Sequence, residues 1–146
     1  LGAPEQVDRI RDLYAMYPNA LRVVDPVMAD HGKVYPTYTP ELCSAMAELA
    51  CGADILTPNL TEAAIILGEP IGEDWGGTDI SDEEAHRLVD ALVAKGAKHV
   101  VLKGIQREGE SCIRNFVGGK DCETFEAHNE YLPTCCTARA TCTRHA

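Results

Sequence analysis

The chain has 146 residues, a formal net charge of −10 and 45% hydrophobic residues, which is typical of one globular domain. The acidic balance argues against nucleic acid as a partner, because phosphate backbones attract Lys and Arg. No apolar run approaches the roughly 20 residues that a membrane span requires, so we expect no membrane partner either.

Helices and short apolar strands alternate along most of the chain. In chain order, helices are predicted at 4–17, 39–52, 60–68 and 81–96, and strands at 20–26, 53–59 and 98–104. Ser81 and Glu84 are predicted to form a capping box at the start of the last helix. Residues 29–39 are predicted as a loop and 111–129 as a hairpin. The alternation predicts an α/β fold with a largely parallel sheet flanked by helices.

Polar residues lie where the three predicted parallel strands end. These ends read Asp25-Pro26, Thr57-Pro58-Asn59 and Lys103-Gly104, and Glu62 follows one helical turn after Asn59. In an open α/β sheet, ligands bind beyond the carboxyl ends of the strands. Carboxylate and amide oxygens suit Mg²⁺, and a lysine beside a glycine suits an approaching phosphate. The pattern predicts a magnesium-nucleotide edge; the open alternative is that Asp25 and Asn59 only cap the helices that follow.

Two longer stretches are specific enough to indicate a family: VVDPVMADHGKVYPTYTPEL and ADILTPNLTEAAIILGEP. They resemble the D-P-V-M-G-D-x-G-x-x-Y and T-P-N-x-x-E segments of the pyridoxal kinase family, in the ribokinase-like superfamily. The resemblance runs from about Leu1 to Pro133 and implies a partial ribokinase-like kinase domain over 1–133. The first residues, LGAPEQV, resemble an L-G-S-P-E-Q segment that normally lies well inside the chain, so we expect a missing N-terminal portion.

The resemblance implies two sets of ligand-binding residues. The ATP-binding positions are Asp25, Asp30, Tyr35, Thr57, Glu62, Lys103 and Gly104. The magnesium positions are Asp25, Asn59 and Glu62, of which the last two match the N-x-x-E motif. Ala29 stands where the family has a glycine.

The implied reaction transfers the γ-phosphoryl group of ATP to the 5'-hydroxymethyl group of pyridoxal, pyridoxine or pyridoxamine. ATP and Mg²⁺ are the implied cofactors, a B6 vitamer is the substrate, and the family implies a homodimer at full length. The cysteines number seven and are scattered, which indicates reduced thiols and a cytoplasmic protein. Two alternatives stay open: a hydroxymethylpyrimidine (phosphate) kinase, which shares D-P-V-M and T-P-N-x-x-E, and a non-catalytic nucleotide-binding module.

The family's catalytic segment is absent from the sequence as written. In the family, a G-T-G-D motif supplies the anion hole and the catalytic base, and it closely follows a Y-x-x-L-P stretch. Here EYLP is followed by TCCTARATCTRHA, and no G-T-G-D appears in the 146 residues. We therefore assign no catalytic residue and expect little or no kinase activity from the chain as encoded.

Residues 134–146 are interpreted as an aberrant tail that follows a one-nucleotide frame shift near Pro133. Codons built from the last base of each codon and the first two of the next are compatible with LLHGTGDMYAS. In the coding DNA, codons for Ala140 and Thr141 that cannot yield GAC would contradict this hypothesis. The alternative is a zinc site in the tail, although adjacent cysteines followed by C-x-x-H do not match the usual spacing. Its four ligands would be Cys135, Cys136, Cys142 and His145.

Overall fold

The computed structural model describes residues 1–70 and 80–130, and the predictions on 71–79 and 131–146 lie outside the described residues. The helices in these ranges are α1 (Pro4–Met16), α2 (Pro40–Ala50), α3 (Leu60–Leu67) and α4 (Asp82–Ala94). The strands are β1 (Val23–Val24), β2 (Ala29–Asp30), β3 (Lys33–Val34), β4 (Ile55–Leu56), β5 (His99–Ile105), β6 (Cys112–Gly119) and β7 (Cys122–Glu130). No helix within these ranges is long and apolar enough to cross a membrane.

Five strands form one sheet in the order β1-β4-β5-β6-β7. β1 pairs with β4 and β4 with β5 in parallel, whereas β5–β6 and β6–β7 are antiparallel. Parallel pairing needs a crossover, and α2 and then α3 with α4 supply it between successive strands. The antiparallel part is the predicted hairpin added to the parallel strands. The predicted α/β class, a sheet flanked by helices, is confirmed.

The core lies on one face of the sheet. Alternate strand side chains are buried there, namely Val24, Leu56, Val100, Leu102 and Phe116. They form one cluster with the apolar faces of α2, α3 and α4. On the other face, Val23 and Phe125 are 58% and 54% exposed in the described part of the chain. The helices therefore stabilise the sheet from one side and leave the strand ends open.

Asp54, just before β4, joins the amino ends of the three parallel strands. Its Oδ2 accepts a hydrogen bond from the Arg22 backbone N–H at 2.8 Å, and its Oδ1 lies 2.6 Å from Lys98 Nζ. The hydrogen bond from Lys98, and then that from Arg22, hold the pKa of the Asp54 carboxyl below its ordinary value. One carboxylate thus fixes β1, β4 and β5 relative to one another at the end of the sheet away from their carboxyl ends.

The prediction of a loop over 29–39 is wrong for its first half, which forms a short hairpin. β2 and β3 pair antiparallel, with Ala29 opposite Val34. His31 and Gly32 between them have φ angles of 48° and 72°, as the type I′ turn of a two-residue hairpin requires. The usual sequence signal for this turn is Asn-Gly or Asp-Gly, so His-Gly gave no indication of it.

The capping box predicted at Ser81 and Glu84 forms only in part. The Ser81 hydroxyl accepts a hydrogen bond from the Glu84 N–H at 3.2 Å. The Glu84 carboxylate, however, binds the Arg87 guanidinium at 2.7 and 2.8 Å. Because a charged guanidinium is a stronger partner than a backbone N–H, the second half of the box is lost.

Candidate functional site

The carboxyl end of the sheet brings predicted site residues into contact. Asp25 follows β1, and Lys103 near the end of β5 donates a hydrogen bond from Nζ to Asp25 Oδ1 at 2.5 Å. Between them, the Lys103 N–H donates to the Pro58 carbonyl at 2.9 Å and the Thr57 N–H to the Val24 carbonyl at 3.0 Å. Asp25, Thr57 and Lys103 therefore converge on one edge, as the strand ends predict.

The Asp25–Lys103 pair is open to solvent. The two side chains are 52% and 36% exposed, and no described residue donates a hydrogen bond to Asp25 Oδ2. Gly104, next to Lys103, has a φ of 79°, and a Cβ added there would meet no atom within 4 Å. A ligand can thus approach the Asp25 carboxylate, the Lys103 ammonium group and the backbone of Gly104, which no side chain covers, at the same time.

Asn59 and Glu62 form a complete capping box at the start of α3. The Glu62 N–H donates to Asn59 Oδ1, and the Asn59 N–H donates to Glu62 Oε2, both at 2.8 Å. Asn59 therefore caps a helix, as the alternative interpretation proposes. Asp25 does not, because β2 and not a helix comes next in the chain.

The first turn of α3 also holds the β2–β3 hairpin in place. Asn59 Nδ2 donates to the Ala29 carbonyl at 2.8 Å. Thr61, which is 1% exposed, accepts a hydrogen bond from the Gly32 N–H at 2.9 Å through its hydroxyl. Both contacts join α3 to the hairpin, so the helix start and the hairpin form one rigid corner beside the strand ends.

Glu62 is almost completely buried, with 2% exposure. Its Oε1 accepts a hydrogen bond from the Met28 N–H at 3.2 Å, while Oε2 is held by Asn59. Burial raises the pKa of the Glu62 carboxyl, and the backbone donors and the charge of Lys103 oppose that shift. Both oxygens serve protein donors in this arrangement, and the magnesium role of Glu62 and Asn59 stays a prediction.

Asp30 ends β2, and Tyr35 directly follows β3. Asp30 Oδ1 accepts a hydrogen bond from the His31 N–H at 2.9 Å. Tyr35 is 37% exposed. No hydrogen bond or ion pair in residues 1–70 and 80–130 joins either side chain to Asp25 or Lys103. Their roles in nucleotide binding stay predictions.

Sequence reasoning missed Asn115, which lies on β6 opposite the end of β5. Its Oδ1 accepts a hydrogen bond from the Gly104 N–H at 3.1 Å. The β5–β6 register shifts between Leu102 and Ile105, so a β-bulge brings the two groups together. The Lys-Gly pair could have suggested a bulge, but no local pattern indicates which residue of the next strand faces it.

The donor chemistry of this edge suits magnesium at Asp25. Mg²⁺ usually binds one or two carboxylates together with waters and substrate phosphates, and Asp25 Oδ2 is available for such a contact. No group of three or more His, Cys, Asp or Glu in the described ranges is arranged to hold a metal ion.

Free thiols in these ranges are Cys43, Cys51, Cys112 and Cys122. The four candidate zinc ligands of the tail lie outside the described residues.

A groove of about 690 Å³ between α2 and α3 lies apart from this edge. Its walls are mostly apolar and include Cys43, Ile65 and Ile66. None of the predicted site residues lines it. The groove and the polar strand ends are therefore two separate features of the described structure.

Comparison with known proteins gives a consistent result. A family model described as phosphomethylpyrimidine kinase matches residues 1–146. Pyridoxal kinase PdxY of Haemophilus influenzae is 37% identical over 117 residues, which cover 75% of this chain and 37% of that protein. The hydroxymethylpyrimidine/phosphomethylpyrimidine kinase of Haemophilus influenzae is 34% identical over 116 residues, covering 77% and 40%. A Bacteroides thetaiotaomicron protein, described as a phosphomethylpyrimidine kinase and crystallised with pyridoxal, superposes with a TM-score of 0.79 at 29% identity, covering 91% and 46%.

The chain spans less than half the length of each of these relatives. The family model nevertheless matches residues 1–146, and the fold agrees with the Bacteroides structure over 91% of this chain. The chain therefore belongs to the phosphomethylpyrimidine kinase family, and its fold matches part of the ribokinase-like fold of the pyridoxal kinases.

Proposed function

We propose that the chain is the nucleotide-binding part of an ATP-dependent kinase that phosphorylates the 5'-hydroxymethyl group of a B6 vitamer. The observation that carries this proposal is the exposed Asp25–Lys103 pair at the carboxyl edge of three parallel strands. Identity to a pyridoxal kinase supports the choice of substrate class, as does a relative of similar fold crystallised with pyridoxal.

Each group at this edge has a task in phosphoryl transfer. The Lys103 ammonium binds phosphate oxygens, and Gly104 leaves room for the phosphates to approach the backbone. Asp25, through Oδ2, would hold Mg²⁺, which neutralises phosphate charge when bound. Asn59 and Glu62 keep the α3 start and the hairpin in a fixed position around this edge. Such positioning is a main source of catalysis in this reaction class.

The chain by itself is expected to bind nucleotide without turning over substrate. Transfer to an alcohol needs an anion hole and a base, and the G-T-G-D motif that the family resemblance assigns to them is not in the 146 residues. We also propose that residues 134–146 are the segment of that motif, translated in a shifted reading frame.

A hydroxymethylpyrimidine kinase is the second candidate. Its support is the 34% identity to such an enzyme over 77% of the chain. Both enzymes phosphorylate a hydroxymethyl group on a nitrogen heterocycle, so the nucleotide edge is expected to serve either one. A frame-corrected, full-length protein assayed with pyridoxal and with hydroxymethylpyrimidine would separate the two by its preferred substrate.

Replacing Lys103 with methionine is expected to weaken Mg-ADP binding by the 146-residue chain roughly 10- to 100-fold. Methionine keeps the apolar stem and removes the ammonium that pairs with phosphate. Titration calorimetry on wild type and variant measures the effect.

Lys120→Met is the matched control, because Lys120 lies in the β6–β7 turn at the other end of the sheet. We expect its Mg-ADP affinity to equal that of wild type. If Lys103→Met and Lys120→Met bind alike, or if the folded wild-type chain binds no Mg-ADP, the proposed nucleotide edge is wrong.

A further inference from the structure

The end of β5 contains a β-bulge at the point where the candidate site begins. Lys103 and Gly104 on β5 lie opposite the single residue Asn115 on β6. The regular pairs on either side are Leu102–Phe116 and Ile105–Arg114. An extra residue in a bulge loses its ladder partner, so its backbone groups need another one.

Asn115 supplies that partner through its side chain. Its Oδ1 accepts the hydrogen bond from the Gly104 N–H at 3.1 Å. Gly104 has a φ of 79°, a left-handed conformation that glycine adopts without strain. The conformation of Gly104 and the acceptor on Asn115 together determine the shape of the bulge.

The bulge sets the direction of Lys103. On one side, the Lys103 N–H is held by the Pro58 carbonyl of the β4 end at 2.9 Å. On the other side, Gly104 is held by Asn115. Between these two restraints the Lys103 side chain extends to Asp25, where Nζ lies 2.5 Å from Oδ1.

We infer that Asn115 is a positioning residue that aims the Lys103 ammonium at Asp25 and at a bound phosphate by holding the Lys103–Gly104 bulge. The phosphate part of this inference rests on the proposed function. The contact between Lys103 and Asp25 does not, and it can be measured in the chain without nucleotide.

The first test is NMR of the 146-residue chain and three variants. In Asn115→Val, hydrogen exchange of the Gly104 amide is expected to accelerate roughly 2- to 10-fold, as for loss of one hydrogen bond. The Lys103 ammonium resonance, visible when an ion pair slows exchange with water, is expected to disappear. Asn115→Asp keeps an acceptor oxygen and is expected to keep the Gly104 protection. Asn129→Val on β7 is the control, since no described residue bonds to that side chain, and both signals are expected to stay.

The second test is Mg-ADP affinity in a double-mutant cycle. Asn115→Val is expected to weaken binding roughly 2- to 10-fold in wild type and to have no further effect in Lys103→Met, because it acts through Lys103. Equal effects in both backgrounds would overturn the inference, since a general loss of structure adds to any other change. Retention of both NMR signals in Asn115→Val would also overturn it. If folded wild type binds no Mg-ADP, the proposed function fails, and the NMR comparison still decides the role of Asn115.

Discussion

Replacing Gly96 with alanine is expected to lower the free energy of unfolding by about 3 kcal/mol. A Cβ at this position would lie 2.5 Å from the Cys51 carbonyl oxygen, which belongs to the backbone and cannot turn away. Gly96 also has a φ of 130°, where an L side chain is strained. The residue follows α4 and passes close to the end of α2, so the clash would push two core helices apart. Urea unfolding followed by circular dichroism measures the loss.

Gly52→Ala is the matched control, because Gly52 follows α2 as Gly96 follows α4. A Cβ at Gly52 would lie 3.6 Å from the Leu49 carbonyl oxygen, an ordinary contact, and the backbone there needs no glycine. We expect a change within about 1 kcal/mol, since alanine also reduces the entropy of the unfolded chain. Equal losses in Gly52→Ala and Gly96→Ala would contradict the close approach of Gly96 to α2.

Replacing Glu62 with glutamine is expected to cost about 2 kcal/mol of unfolding free energy near pH 5. Both carboxylate oxygens accept hydrogen bonds from backbone N–H groups, those of Met28 and Asn59. An amide NH₂ has no lone pair to offer, whereas each carboxyl oxygen keeps one whether or not the group carries a proton, so only in glutamine would one buried N–H face a group that cannot accept. Denaturant unfolding of the two chains at fixed pH measures the difference.

Glu48→Gln is the control for this substitution. The Glu48 side chain is 67% exposed and binds Arg11 at 2.6 Å. A surface ion pair of this kind contributes little, so we expect a loss below about 0.5 kcal/mol. A loss in Glu48→Gln as large as that in Glu62→Gln would show that the buried hydrogen bonds are not the cause.

The stability contributed by Glu62 is expected to depend on pH in a defined direction. Burial raises its folded pKa above the ordinary value of 4.5. At pH values between 4.5 and the folded pKa, the folded chain keeps a proton that the unfolded chain has released. The contribution is therefore complete below pH 4.5 and is lost as the pH rises through the folded pKa. Glutamine does not titrate, so the difference in unfolding free energy between wild type and Glu62→Gln should become smaller as the pH rises through this window. A difference that grows with pH would contradict the prediction.

The N-x-x-E motif has a structural role in addition to its predicted magnesium role. Asn59 and Glu62 cap α3 and also bind Ala29 and Met28 beside β2. Loss of either side chain would disturb the hairpin as well as any ligand. Lys103 and Asn115 lie outside this network, so their variants test nucleotide binding with less effect on stability.

Apolar periodicity was sufficient to predict the fold class, and the residues at the strand ends were sufficient to predict that Asp25 and Lys103 lie at one edge of the sheet. Val24, Leu56 and Leu102 are buried where the strand patterns place them. Asp25 and Lys103 meet because the carboxyl ends of parallel strands lie at the same edge of a sheet. These predictions depend on the spacing of apolar and polar residues within each segment, which can be read from that segment alone.

Tertiary structure decided which partners several polar groups take. Asn115 on β6 accepts the hydrogen bond from Gly104 in the bulge of β5. Glu62 is 34 residues from Met28, yet the two share a hydrogen bond. Such pairings depend on strand register and helix packing, in which segments distant in the chain meet, and a pattern within one segment contains no information about the other.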